Sequence, residues 1–342
     1  MIEKYFIRND LTLRRWRRFK RNRTAMMWLW LLIVFSGFSF TAGFWADSKP
    51  LMMKWRGELY VPSMKDYHPT LFGREDIMVM DYRSLKFDGD DWALWPVIRW
   101  DAFESNKAVD NYPSPPTRDN WMGTDDRGRD VFARLLYGYR YSIGYAFSVW
   151  ILSYLLGTLI GAMNGYIGGR VDLFGARAVE IIEMMPWLLL LITMISIFGA
   201  SMTLLVSFTV IFGWPDIYHQ MRSQFLQLRK RDYVEAARAI GASHWRIVLK
   251  HILPNALTPL VTFSPFAIAA NISGLALLDY LGLGIAAPTP SWGELMSQAQ
   301  QYFTTSEWLV WFPSAALLLT MIALINIGLA IRDAFDSKAH VG

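Results

Sequence analysis

One carboxylate, Asp279, stands in the stretch LALLDYLGLG with no lysine or arginine among its apolar neighbours. A charge in such surroundings is costly unless it faces water or a partner, which makes Asp279 a candidate for lining a passage. Four more charges, Asp125, Arg127, Arg129 and Asp130, crowd into WMGTDDRGRD. Taken alone they read as a solvated segment in which Arg129 attracts Asp126, three residues before it. Glu180 and Glu183 open an apolar run, where Arg177 lies one turn from Glu180, and Asp216 ends another. Catalysis needs more than this. The histidines, at 68, 219, 244, 251 and 340, are scattered, and the chain has no cysteine. No H-E-x-x-H, G-x-S-x-G or G-x-x-x-x-G-K-[ST] occurs, so neither a zinc protease, a serine hydrolase nor a nucleotide-binding P-loop is encoded. No metal site or catalytic residue is expected.

The elements that must position these residues are membrane spans. Of 342 residues, 53% are hydrophobic, and they cluster in runs near the roughly 20 residues of helix that a bilayer core requires. Six spans are expected, at 26–46, 141–162, 178–198, 202–219, 256–281 and 309–331, in an all-α polytopic membrane protein. Pro186, Pro215, Pro259, Pro265 and Pro313 read as kinks repaired by neighbouring helices.

Charge gives the orientation. Nine basic residues precede residue 25, among them Arg14, Arg15, Arg17, Arg18, Lys20, Arg21 and Arg23. Beside a first span they hold that end in the cytoplasm rather than mark a nucleic-acid arm. The segment 221–255 is also basic, Arg332 and Lys338 follow the last span, and 282–308 has neither lysine nor arginine. The expected order is a cytoplasmic N-terminus (1–25), a first helix (26–46), an external segment (47–140), a five-helix core (141–331) and a cytoplasmic C-terminus (332–342).

The external segment is too aromatic for a tether, with Trp55, Tyr60, Tyr67, Trp92, Trp95 and Trp100. MKWRGELYVP predicts a hairpin turning at Gly57, and PSPPTRDNW a stiff extended strap. A small, partly ordered subdomain is expected.

The most informative stretch is YVEAARAIGASHWRIVLKHILPN, from Tyr233 to Asn255. Asp232 and Glu235 are spaced like a capping box. Val234, Ala237 and Ile240 fall on one helical face. Gly241 suits a left-handed stop, Ser243 can cap a second short helix, and Pro254 is expected to break it before the next span. The product is a helix–turn–helix elbow between two spans. Physics alone leaves open an amphipathic helix lying on anionic lipid.

That stretch resembles the signature loop of the membrane subunits of ABC importers. Glu235, Ala236, Ala237, Gly241, Leu253 and Pro254 match its pattern, Asn255 follows, and His251 replaces the usual isoleucine. WMGTDDRGRDVFARLLYGYRYSI, GYIGGRVD, YLGLGIAAPTPSWGELM and IRDAFDSK resemble the C-type permease subunits of dipeptide/oligopeptide importers. The long external insertion is most similar to the Yej-type subunits, whose family imports microcin C-like peptides and other oligopeptides.

The resemblance implies a type I importer fold and an ATPase-coupling role for the matched loop residues. It also implies an external gate or latch at Gly123, Thr124, Asp125, Gly128, Arg129 and Asp130. Implied partners are a second homologous permease subunit, ABC ATP-binding subunits, a periplasmic peptide-binding protein, the inner-membrane lipid and a peptide. No cofactor is expected on this chain, with ATP and magnesium on the ATPase subunits, and no nucleic acid. The rival, a self-sufficient secondary transporter or channel, calls for inverted repeats and midplane charges. Neither is evident.

Overall fold

The computed structural model describes residues 10–75 and 77–336. The expectations placed on residues 1–9, on Lys338 and on the rest of the C-terminal tail lie outside the described residues. The chain is mostly helical: α1 Asp10–Arg21, α2 Arg23–Phe40, α3 Ala42–Trp45, α4 Val131–Ile167, α5 Gly169–Glu183, α6 Trp187–Phe198, α7 Met202–Leu228, α8 Asp232–Ala239, α9 His244–Arg246, α10 Leu253–Tyr280, α11 Trp292–Gln301 and α12 Glu307–Phe335. A π turn, Ile247–Ile252, joins α9 to α10.

Four of these helical stretches are long and apolar enough to cross a membrane: Arg23–Phe40, Val131–Ile167, His244–Tyr280 and Glu307–Phe335. The pair α5 and α6, bent by 65°, makes a fifth if it is one broken span. The bend falls at Pro186, which lacks an N–H to continue α5 and instead accepts from Leu190 N as α6 begins. The fourth expected span corresponds to α7, which does not meet the same standard. Its second half carries Asp216, His219 and Arg222, which dilute its apolar character.

Helix α7 is nevertheless bound to α4 along its length. Gly157, Gly161 and Gly165 form one stripe of α4, and an added Cβ at each would lie within 2.7 Å of α7 carbonyls at Trp214, Tyr218 and Arg222. Both numbers rise together, so the two helices run in the same direction. Small residues at this spacing let helix backbones touch in lipid. Asn164 Nδ2 adds a bond to the Tyr218 hydroxyl at 3.0 Å. At the bundle's other side, α1 folds back on the end of α12. Phe19 packs with Ile327, Ala330 and Ala334, the Arg15 guanidinium lies 4.2 Å over the Phe335 ring, and Arg18 donates to Asp336 O.

The all-α expectation needs one correction. The external insertion contains a three-stranded antiparallel sheet in the order β2-β1-β3, from β1 Met52–Trp55, β2 Glu58–Tyr60 and β3 Trp92–Leu94. Arg56 at φ 50° and Gly57 at φ 84° turn the β1–β2 hairpin, the two positive-φ positions that a tight hairpin turn demands. One sheet face, through Met53, packs on Phe72, Met80 and Tyr82. Edge-to-face ring pairs, Tyr60 with Tyr67 and with Phe72, close that core. Parallel pairing of Ala46 with Ile98 ties the lobe to the end of α3. The proline strap runs into Ser114, which exchanges bonds with Thr124 through Ser114 N to Thr124 Oγ1 and Thr124 N to Ser114 O.

Candidate functional site

Two constellations stand at opposite ends of the bundle. The first is the elbow. Helix α8 has one buried face: Val234 and Ala237 pack with Met221 and Phe225 of α7 and with Ile247, Ile252 and Ala256. Its end is a paired backbone stop, with Gly241 N bonded to Arg238 O and Ala242 N to Ala237 O. This arrangement requires the left-handed φ of 79° found at Gly241. Ile240 does not share the buried face as expected. It is 86% exposed, and Trp245 across the turn is 76% exposed. Glu235 and Ala236 are exposed too, whereas Ala237 is core.

Three local expectations for the elbow change. No capping box forms, because Arg231 is the N-cap and Asp232 is already the first helical residue. Ser243 holds the next N-cap position without a side-chain bond. Pro254 does not break the chain into separate helices. The π turn absorbs it: widening the ring of backbone bonds accommodates a residue that has no N–H and whose ring crowds the preceding turn. The elbow is thus continuous with α10. Leu253 is half-buried at the joint, and Asn255 returns a bond from Nδ2 to His251 O at 3.0 Å.

The second constellation, at the start of α4, is buried. Gly123 takes φ 74° and packs so closely that a Cβ would lie 2.7 Å from Ser114 O and from Trp308 Nε1. Trp308, ahead of the last span's core, donates to Thr124 O at 3.0 Å. Asp125 is fully buried. Its Oδ1 accepts from Arg127 N and Arg129 N, and its Oδ2 from Arg129 Nε at 2.7 Å. Gly128 at φ 77° leaves room for the Tyr112 ring. Asp130 caps α4 by accepting from Ala133 N, and its other oxygen accepts from Asn120 Nδ2. Asn120 in turn accepts from Asn106 Nδ2 at 2.7 Å.

The charge cluster reaches across the fold. Arg129 donates to Glu294 of α11 at 3.1 Å, and Arg134 of α4 pairs with the other oxygen of Glu294. Arg134 also lies 3.3 Å from Asp125 and donates to Ala102 O. Asp126, the expected partner of Arg129, is a distant third at 3.9 Å. Two pKa directions follow. Asp125 and Glu294 hold the Arg129 guanidinium in its charged form despite burial, while burial pushes the Asp130 carboxyl up to about 6. Sequence reading missed Arg134, Glu294, Trp308 and Asn120. The one local signal was Ser291-x-x-Glu294, a helix-start pattern at which Ser291 Oγ does accept from Glu294 N.

Asp279 sits beside the charge cluster with its carboxylate turned into its own loop. It is 7% exposed. Ile285 N donates to Oδ1 at 2.7 Å, and the Ser291 hydroxyl donates to Oδ2. Gly284 and Gly293 pack directly on it. Both oxygens therefore serve the turn that delivers α11 to the cluster. Near the inner end, Glu180 pairs with Arg177 as expected, and Glu183 with His219 at 2.9 Å. Among the described residues no acid, histidine or cysteine cluster could hold a metal ion.

The elbow lies between α7 and α10, the latter part of a helical stretch long and apolar enough to cross a membrane, and the buried charge cluster lies at the start of α4. Residues 154–341 match the family described as binding-protein-dependent transport system inner membrane component. The chain belongs to this family. Residues 11–62 further match the N-terminal TM domain of oligopeptide transport permease C. This permease is 40% identical over 334 residues to the inner membrane ABC transporter permease protein YejE of Escherichia coli (strain K12), with 96% of this chain and 97% of that one covered. It is 33% identical to the peptidoglycan transport system permease protein YejE of Agrobacterium fabrum, covering 96% and 93%. It is 35% identical to the oligopeptide transport system permease protein OppC of Bacillus subtilis, covering 67% and 75%. It is a multi-pass inner-membrane permease subunit and not an enzyme. A binding-protein-dependent system supplies its ATPase and its binding protein as separate partners.

Proposed function

We propose that this permease forms one half of a peptide passage, completed by a second homologous permease subunit. ATPase subunits, carrying ATP and magnesium, dock on its elbow from the cytoplasm. A periplasmic binding protein delivers oligopeptides, microcin C-like peptides among them, to the external face. The observation that carries this reading is the elbow itself. Its buried face is fused to α7 and α10, while Ile240 and Glu235 project into the open. An element rigidly joined to two membrane helices and exposing apolar side chains at its tip is built to receive a push. The peptide cargo is supported by what the Bacillus relative is named for.

In this reading α7 is the fourth of six spans. Its glycine-lined contact with α4, itself a candidate span, supports this. Both ends lie on the cytoplasmic side in this reading: the packing of α1 on the end of α12 supports a common side, and the basic residues of α1 favour the cytoplasm. The latch residues from Gly123 to Asp130 hold the external end of α4 against the loop between α10 and α11 beside the gate.

The test is the complete importer reconstituted in lipid, with Glu235→Lys and Ile240→Asp compared with wild type at matched subunit content. Peptide-stimulated ATP hydrolysis and peptide uptake should both fall at least several-fold, with binding-protein docking retained. Wild-type rates in both variants would remove the elbow from the mechanism.

A further inference from the structure

An apolar groove of about 520 Å³ runs up the inner half of α4 to the base of the elbow. Thr158, Leu159, Ala162 and Met163 form one wall, and Val248, Leu249 and Leu253 the other. Its wall along α4, from Thr158 to Ile167, is about 14 Å long at 1.5 Å per residue. That is close to one leaflet, about half of a 30 Å hydrocarbon core.

The mouth has a different chemistry. Tyr166 and His244 meet there through a bond of 2.7 Å between the phenol oxygen and Nδ1, and the exposed Trp245 completes the rim. Arg229 donates to Tyr166 O at 3.0 Å, which fixes a guanidinium at the end of α4. Arg246 and Lys250, both exposed, rise from the helix that forms the second wall, and exposed Arg170 follows α4. The acids nearby are otherwise placed. Asp172 pairs with Arg222, and Asp232 and Glu235 lie on α8, beyond the turn at Gly241. Tryptophan and tyrosine in the lining, basic side chains on the segments that flank it and an acyl-length apolar slot together match an anionic phospholipid.

We propose that this groove binds an anionic phospholipid of the inner leaflet, its chain between α4 and the π turn and its headgroup under Arg229, Arg246 and Lys250. The placement in the inner leaflet rests on the importer orientation above. Because the lipid touches both walls, it braces the joint between the elbow and α4.

The test uses phosphatidylglycerol and phosphatidylcholine carrying a photoreactive group in the acyl chain, each added to the complete importer in phosphatidylcholine nanodiscs. Labelled peptides are mapped by mass spectrometry. Phosphatidylglycerol should label Leu159, Met163 or Leu249 on the order of tenfold more than phosphatidylcholine, given the strength of basic side chains at anionic surfaces. Unlabelled phosphatidylglycerol should compete where phosphatidylcholine does not. Arg246→Gln with Lys250→Gln should bring the two probes level, and the competition arm on wild type decides the matter if that variant fails to assemble. Equal labelling by both lipids in wild type overturns the proposal, as does a groove filled by the second permease subunit and closed to both probes. Copurification of the ATPase, scored on the same samples, reports on the importer reading separately.

Discussion

Arg129 and Glu294, 165 residues apart, meet at 3.1 Å beside the start of α4. With Asp125 and Arg134 they make a four-membered charge cluster that joins the start of α4 to α11. Both arginines are nearly inaccessible, at 2% and 0%, so neither charge is solvated and each depends on its partners.

Removing Glu294 therefore leaves two buried cations with Asp125 and the more distant Asp126. Breaking a buried pair by deleting one partner costs about 3–5 kcal/mol. Glu294→Ala should lower the unfolding midpoint of the detergent-solubilised permease sharply, and Glu294→Asp should recover part of the loss. An unchanged midpoint for Glu294→Ala would mean that the cluster is not a stabilising latch.

The neighbouring carboxyl has an opposite sensitivity. Asp130 titrates at about 6 in the folded protein because of its burial, against an ordinary 3.8. Between those values the folded state holds a proton that the unfolded chain has released. Stability from this group is therefore greater at pH 5 than at pH 7 and falls as pH rises through the window. Between pH 5 and pH 7 the unfolding midpoint of wild type should fall relative to that of Asp130→Asn, because only wild type acquires the buried charge. A constant difference would show that Asp130 does not titrate there.

Asp279 illustrates what the sequence could and could not convey. Its isolation as a charge is visible in the sequence and suggests a passage-lining role. Its direction is not, because Ser291 and Ile285 lie beyond a turn whose shape no local pattern reveals. Glu294 was unreadable as the partner of Arg129 for the same reason of distance along the chain. The turn at Gly57 and the stop at Gly241 were legible, because each needs a positive φ that glycine announces. The π turn was not, since Pro254 signals a disturbance without saying how the backbone resolves it.

The geometry at Asp279 separates a passage role from a turn role. Asparagine offers one acceptor oxygen where two donors converge, so Asp279→Asn should loosen the α10–α11 loop. Uptake of cationic and neutral peptides should then fall together, with a lower unfolding midpoint. Loss confined to cationic peptides at a wild-type midpoint would assign Asp279 to cargo recognition.

The α4–α7 contact makes a sharper stability prediction. A Cβ at Gly161 would lie 2.6 Å from Tyr218 O, a backbone atom that cannot swing aside, whereas one at Gly144 on the same helix meets nothing within 4 Å. Gly161→Ala should cost about 1–3 kcal/mol by overpacking and reduce membrane abundance, while Gly144→Ala should be near neutral. Equal behaviour of the two would mean that α4 and α7 are not in backbone contact.

The elbow gives a prediction in which strain is isolated from crowding. At Gly241 an added Cβ has no neighbour within 4 Å, so only the φ of 79° opposes a side chain. Asparagine tolerates that left-handed conformation far better than a β-branched residue, for which the strain is on the order of 1–3 kcal/mol. Relief would come from unwinding the bonds of Gly241 N to Arg238 O and Ala242 N to Ala237 O, which set the angle between α8 and α9. Gly241→Val should therefore tilt Ile240 away from Trp245, while Val234 and Ala237 stay buried and the permease still inserts. In the reconstituted importer, peptide-stimulated ATP hydrolysis should be lowest for Gly241→Val, intermediate to near normal for Gly241→Asn and highest for wild type. Uptake should follow the same order, with permease abundance equal in all three. If valine and asparagine impair hydrolysis to the same degree, the left-handed turn is not what sets the docking angle, and the side chain itself must obstruct the partner.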